Sequence, residues 1–173
     1  MRNLVAGAVL GAVMFTAGAV FTASKSDGDV LREARDRQQI EELMWRYTRA
    51  LDTNDGATYA STYTVDGQFV AGGNATKGRE AVKKMVDALK EQEAARKAKG
   101  EPARPPLYHM EANSWIEFID KDHARYHAYY LTVAAAGGAN VPARIAAAGR
   151  SVNHLERVNG KWLIKLRDVA PED

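Results

Sequence analysis

Residues 40–55, IEELMWRYTRALDTND, constrain the fold of this chain more than any other stretch. Ile40, Leu43, Met44, Tyr47 and Leu51 recur at the spacing that lines one face of an α-helix. A helix with one apolar stripe has to lay it on a second layer, and the rest of the chain supplies one. From Leu107 onward the sequence is strand-forming and punctuated by turn signals: Leu107–Ile119 and His123–Ala135 flank Asp120-Lys121-Asp122, and Ile145–Val158 and Lys161–Val169 flank Asn159-Gly160. Asn-Gly is the strongest short hairpin signal in the chain. Helices first and antiparallel strands after predict an α+β architecture.

Between these regions the punctuation is clear. Asp29 is a candidate cap for a first helix over Val30–Thr53, and Asn54 or Asp55 for a short second helix over Ala57–Tyr63. Asp66-Gly67 marks a turn before a short strand, Gln68–Val70, followed by Gly72-Gly73-Asn74 as a loop. Arg79 to about Lys99 reads as a third helix, apolar at Ala81, Val82, Met85 and Leu89, with a charged, solvated tail ended by Gly100 and the prolines that follow. Ala136–Ala143 reads as a loop near a pocket rim.

The first 24 residues are read as an address and not as part of the fold. Met1-Arg2-Asn3 is a short basic start, Leu4 to Phe21 is apolar, and Ala17-Gly18-Ala19 or Thr22-Ala23-Ser24 offers a cleavage site. The apolar run is longer than the usual signal core of about 7–15 residues and near the lower bound of about 17 for a spanning helix, so a cleaved signal peptide and an uncleaved membrane anchor both remain open. Either predicts export, with a periplasmic domain over residues 25–173. The 173-residue length suits one domain with a sizeable core. Lys plus Arg number 24 against 22 Asp plus Glu, which gives no basic stripe for nucleic acid. With no cysteine, disulfides, thiolate nucleophiles and Cys-ligated zinc are excluded. The four histidines form no HExxH motif or tight cluster with carboxylates, so no metal site is expected. No P-loop or dinucleotide fingerprint is present either.

Taken in order, the acidic end of the first helix, Asp66-Gly67-Gln68-Phe69, Gly78-Arg79-Glu80-Ala81, the strand carrying His109 and Asn159-Gly160-Lys161-Trp162 resemble the SnoaL-like branch of the NTF2-like superfamily, over roughly residues 29–169. Relatives there include scytalone dehydratase, limonene-epoxide hydrolase and ketosteroid isomerase. The resemblance implies an NTF2-like cone: three N-terminal helices packed on a curved antiparallel sheet enclosing a deep, mostly apolar pocket. It also implies cofactor-independent chemistry and a homodimer or homotrimer formed through the open sheet face.

Two residues carry the catalytic expectation. In SnoaL-like proteins a His-x-x-x-Asn segment on the first long strand commonly places its histidine in the pocket, and His109 and Asn113 stand in that pattern. In the scytalone dehydratase group an acidic residue ends the first helix, where this chain has Asp52. A carboxylate facing an imidazole makes an acid–base unit that can take and return a proton near neutral pH. Helical spacing alone, however, turns Asp52 away from the Tyr47 stripe. The chain also departs from the dehydratase pattern: Leu51 replaces a tyrosine, Val133 falls where a second histidine is expected, and no tyrosine stands near Val70.

Strand alternation places His109, Glu111, Asn113 and Trp115 on one face. Tyr47 and Tyr59, with Tyr63, could line the pocket, and Ser151 and Asn153 share a face that the family often uses for ligand. His127 is a further polar candidate, but hairpin register sets it opposite Trp115, roughly 20 Å of strand from His109. His123 and His154 show no local partner. The expected function is a lyase or isomerase that eliminates water or formaldehyde from a small hydroxylated, aromatic molecule; lignin-derived diarylpropanes are named by analogy with sphingomonad lyases of this fold. The alternative is a non-catalytic module that binds a small molecule or serves in association. A hydrolase would need an Asp/Arg/Asp cluster, which alternation does not put on a pocket face.

Overall fold

A computed structural model describes residues 25–137 and 140–171. The expected leader, residues 1–24, lies outside them. No helix among the described residues is long and apolar enough to cross a membrane. Helix α1 spans Asp27–Asp52, α2 Gly56–Ser61 and α3 Arg79–Ala98; the strands are β1 Tyr63–Ala71, β2 Asn74–Lys77, β3 Leu107–Phe118, β4 His123–Ala134, β5 Arg144–Val158 and β6 Lys161–Asp168. The six strands form one curved, unclosed sheet in the order β2-β1-β6-β5-β4-β3, with the helices packed on its concave face. All neighbouring pairs are antiparallel except β1 and β6, which run parallel, so the sheet is mixed where an antiparallel one is expected from sequence.

The stripe on α1 is buried as its spacing requires. Ile40, Leu43, Met44 and Tyr47 lie in the core against Tyr59, Tyr63, Val82, Val86, Leu155, Trp162 and Ile164. Ile40 and Leu43 are wholly buried, and side chains of this size contribute about 1.5–3 kcal/mol each. One turn before Ile40 the stripe becomes polar: buried Asp36 pairs with Arg157 at 2.5 Å, and the Arg157 guanidinium lies over the Trp162 ring, 4.5 Å from its centroid. That cluster closes the end of the cone opposite Asp52, sixteen residues and about 24 Å away along α1.

Several boundaries differ from expectation, each for a local reason. Helix α1 starts at Asp27 because Ser26, not Asp29, is the cap: Ser26 Oγ accepts from the Asp29 N–H and donates to the Asp29 carboxylate at 2.7 Å. Asp55 caps α2 as anticipated, through the Thr58 N–H. Tyr63 opens β1 instead of ending α2. The glycines Gly72 and Gly73, both at positive φ, close a tight hairpin that adds the strand β2. Asn159 and Gly160 are likewise both at positive φ, as their dipeptide predicts. Gly56 is required by a close approach: a Cβ there would sit 2.2 Å from Asp87 Oδ1 and 2.9 Å from the Lys83 carbonyl, so α2 and α3 meet through it.

Two bulges decide what faces the interior. In β3, Ala112 pairs with Tyr129 and Trp115 with His127, so Asn113 and Ser114 oppose a single residue, Ala128. Asn113 adopts φ 48°, a conformation asparagine tolerates. The bulge reverses alternation. His109 and Glu111 face inward before it, but Ile116 faces inward after it and Trp115 outward, at 59% exposure. In β6, Lys165 is the extra residue between the pairs Leu155–Ile164 and His154–Leu166. Trp162 and Ile164 face the core, and past the bulge Arg167 does so as well.

Candidate active site

Asp52 ends α1 directly over the first inward residue of β3. Its Oδ1 accepts the His109 backbone N–H at 3.0 Å and contacts His109 Nδ1 at 2.7 Å. The Asp52 side chain is 8% exposed and that of His109 24%. Arg49, one turn back, lies 3.8 Å from the other Asp52 oxygen. The two-fold acceptance at one oxygen fixes the carboxylate and explains how it turns inward although α1's apolar stripe points elsewhere. A carboxylate only accepts, so the contact assigns a ring proton to Nδ1; in the neutral imidazole the lone pair then lies on Nε2. A base held in this tautomer by a buried acid can remove a proton from a group at Nε2 and return it.

Beyond His109 the interior is polar where the resemblance implies an apolar pocket. Glu111 forms an ion pair with Arg167, and both side chains are almost fully buried. Arg167 Nη1 donates to Asn153 Oδ1 at 2.8 Å, and its guanidinium lies over the Tyr47 ring, 4.5 Å from the centroid. Burial works against the charge on Arg167, but Tyr47, Glu111, Tyr63 and Tyr59 around it outweigh that and hold it above its ordinary value. The three phenols meet: Tyr59 Oη lies 3.1 Å from Tyr63 Oη and 3.4 Å from Tyr47 Oη. Burial raises the Tyr59 and Tyr63 phenols well above the usual tyrosine value, so both are neutral donors at physiological pH.

The residues named from sequence thus separate into groups. His109 and Asp52 are brought together, and Tyr47 and Tyr59 line the same interior. Ser151 and Asn153 face inward but are engaged within the protein: Asn153 Nδ2 donates to the Tyr126 carbonyl at 3.1 Å, and Ser151 Oγ lies 3.4 Å from Glu111 Oε2 and 3.5 Å from the Ala128 carbonyl. Asn113 is exposed at the bulge and does not share the face of His109. His127 is on the outer face of the sheet, its ring 5.1 Å from that of Trp115, with Nε2 3.5 Å from Glu117 Oε2. His123, without a partner in the sequence reading, meets Asp120 through Nδ1 at 2.9 Å.

Glu111 and Arg167 were not singled out by sequence. Glu111 shares the alternation of His109 and was legible there. Arg167 was not, because unbroken alternation from Trp162 and Ile164 would turn it to solvent.

The sequence profile of the SnoaL-like domain matches residues 32–168, and the chain belongs to that family. Among solved structures it resembles an NTF2-like protein with a cystatin-like fold from Novosphingobium aromaticivorans, at 20% identity and a TM-score of 0.66 over 84% of this chain and 88% of the other. A provisionally named scytalone dehydratase from the same bacterium matches at 21% identity and a TM-score of 0.64, over 80% of this chain and 85% of its own. A protein of unknown function from Mycobacterium tuberculosis matches at 23% and 0.65, over 79% and 76%. At these identities the likeness establishes the fold. No curated protein matches the chain in sequence.

Proposed function

We propose that this protein is a cofactor-independent lyase or isomerase in which His109 is the general base and Asp52 holds its tautomer. The observation that carries the reading is the double acceptance by Asp52 Oδ1, from both the ring and the backbone of His109. Such an arrangement fixes ring orientation and proton position together, which a solvated helix-end carboxylate has no reason to do. In an elimination of water, Nε2 takes a proton from carbon, the C–H electron pair forms the new double bond, and the departing oxygen leaves as water on receiving the proton back. In loss of formaldehyde from a 1,3-diol, Nε2 takes a hydroxyl proton, the O–H pair becomes the carbonyl of formaldehyde, and the C–C bond breaks. The pair from that bond forms the alkene as the second hydroxyl departs, again as water. The buried hydroxyls of Tyr47 and Tyr59 offer hydrogen-bond donors to a developing oxyanion.

Small hydroxylated aromatics, lignin-derived diarylpropanes among them, fit this reading because the interior combines tyrosine rings with polar groups. The domain is proposed to act after export, as a homodimer or homotrimer through the outer sheet face, where Tyr108, Met110, Trp115 and Tyr129 are exposed. The engagement of Ser151 and Asn153 within the protein favours a second reading, a binding module without turnover. Mass spectrometry of the purified protein with phenolic diaryl diols, without cofactor, separates the two. The first predicts loss of water or formaldehyde, reduced about 10²- to 10⁴-fold in His109→Ala. Equal conversion by wild type and His109→Ala would contradict it, and binding without conversion would favour the module.

A further inference from the structure

The buried Glu111–Arg167 pair is incompletely satisfied. Arg167 donates from both terminal nitrogens, but its buried Nε has no hydrogen-bond partner among the described residues. Glu111 Oε1 is held by Arg167, whereas Oε2 has, among the described residues, only the long 3.4 Å contact from Ser151. Taking two such charges out of water is costly, and a pair kept for stability alone would satisfy its remaining donors and lone pairs. Glu111 is also two residues from His109 on the same face of β3. The strand repeat separates them by about 6–7 Å, which is about the distance between the two oxygens of a para-hydroxybenzyl alcohol.

We propose that Glu111 is a substrate-binding residue whose Oε2 accepts the hydroxyl of a phenol, while the benzylic oxygen or carbon para to it faces His109. This rests on the reading above that the interior receives a ligand at His109, and it narrows that ligand to para-hydroxybenzylic compounds. Arg167 is the positioning residue: its ion pair with Oε1 holds that oxygen away from the ligand. The phenol displaces only the long Ser151 contact. Tyr130 is the cross-strand neighbour of Glu111 and lies across Gly149, where a Cβ would come within 2.7 Å of the Tyr130 hydroxyl.

The test is calorimetric titration of the full chain with 4-(1-hydroxyethyl)phenol and with its phenolic O-methyl ether. Wild type is expected to bind the phenol about tenfold or more tighter than the ether, since the ether leaves a charged acceptor without its donor. Glu111→Gln is expected to reduce that preference to about threefold or less, and His109→Ala to retain it. A double variant, Glu111→Leu with Arg167→Leu, exchanges the buried pair for apolar side chains and is expected to stay folded and to show no preference. Wild type that binds neither probe, or both equally, overturns the proposal, as does Glu111→Gln or the folded double variant keeping the preference. Phenol preference without turnover on any substrate would leave this inference standing and remove the lyase reading.

Discussion

At the scale of single residues, the proposed chemistry rests on how one carboxylate is held. Asp52 lies at the last position of α1, where the macrodipole gives a carboxylate no stabilisation. What recovers it is a backbone donor and a ring donor, both from His109. Removing its charge while keeping its shape should therefore change the chemistry and not the fold. Asp52→Asn is expected to melt within a few degrees of wild type. Its amide can donate to the ring, freeing the histidine to carry its proton on Nε2, and turnover is expected to fall about tenfold or more, the effect of ~1.4 kcal/mol at the transition state. His109 was legible because its residue type and strand position fit a family pattern. The inward turn of Asp52 was not legible from helical spacing, because a side chain at a helix end is directed by tertiary hydrogen bonds.

At the scale of elements, alternation and turn chemistry made most of the fold legible: the hairpin registers that pair His127 with Trp115 and that turn at Asn159-Gly160 follow from the sequence. The bulges did not, because one extra residue reverses the face of everything beyond it. This is why Asn113 lies outside the candidate site and Arg167 within it. Asn113 at φ 48° carries the β3 bulge. A β-branched residue there would have to bear the left-handed penalty, so Asn113→Val is expected to lower stability by about 1–2 kcal/mol in urea unfolding, and Asn113→Gly by much less. Equal stability of the valine and asparagine proteins would show that the bulge does not depend on this residue.

At the scale of the whole molecule, the cone is a mixed interior: aliphatic and aromatic against α1, but with a buried ion pair at each end, Asp36–Arg157 and Glu111–Arg167. The phenols between them give it a pH dependence whose sign follows from burial. Tyr59 and Tyr63 have pKa values raised above their ordinary 10.0. The folded state thus holds their protons where the unfolded state releases them, and the stability this contributes is complete below about pH 10 and lost as pH rises beyond it. Alkaline titration followed at 295 nm is expected to show exposed tyrosines ionising first. The remaining phenols should ionise only together with loss of near-ultraviolet circular dichroism. Smooth ionisation of every tyrosine in a folded protein would contradict the buried cluster.

Long-range ¹⁵N NMR of the imidazoles tests, without any substrate, whether Asp52 fixes His109 as a base at Nε2. The neutral imidazole of His109 is expected to carry its proton on Nδ1 with Nε2 unprotonated, and to shift toward the opposite tautomer in Asp52→Asn. A His109 that carries its proton on Nε2 in the wild type, or whose tautomer is the same in both proteins, would contradict it.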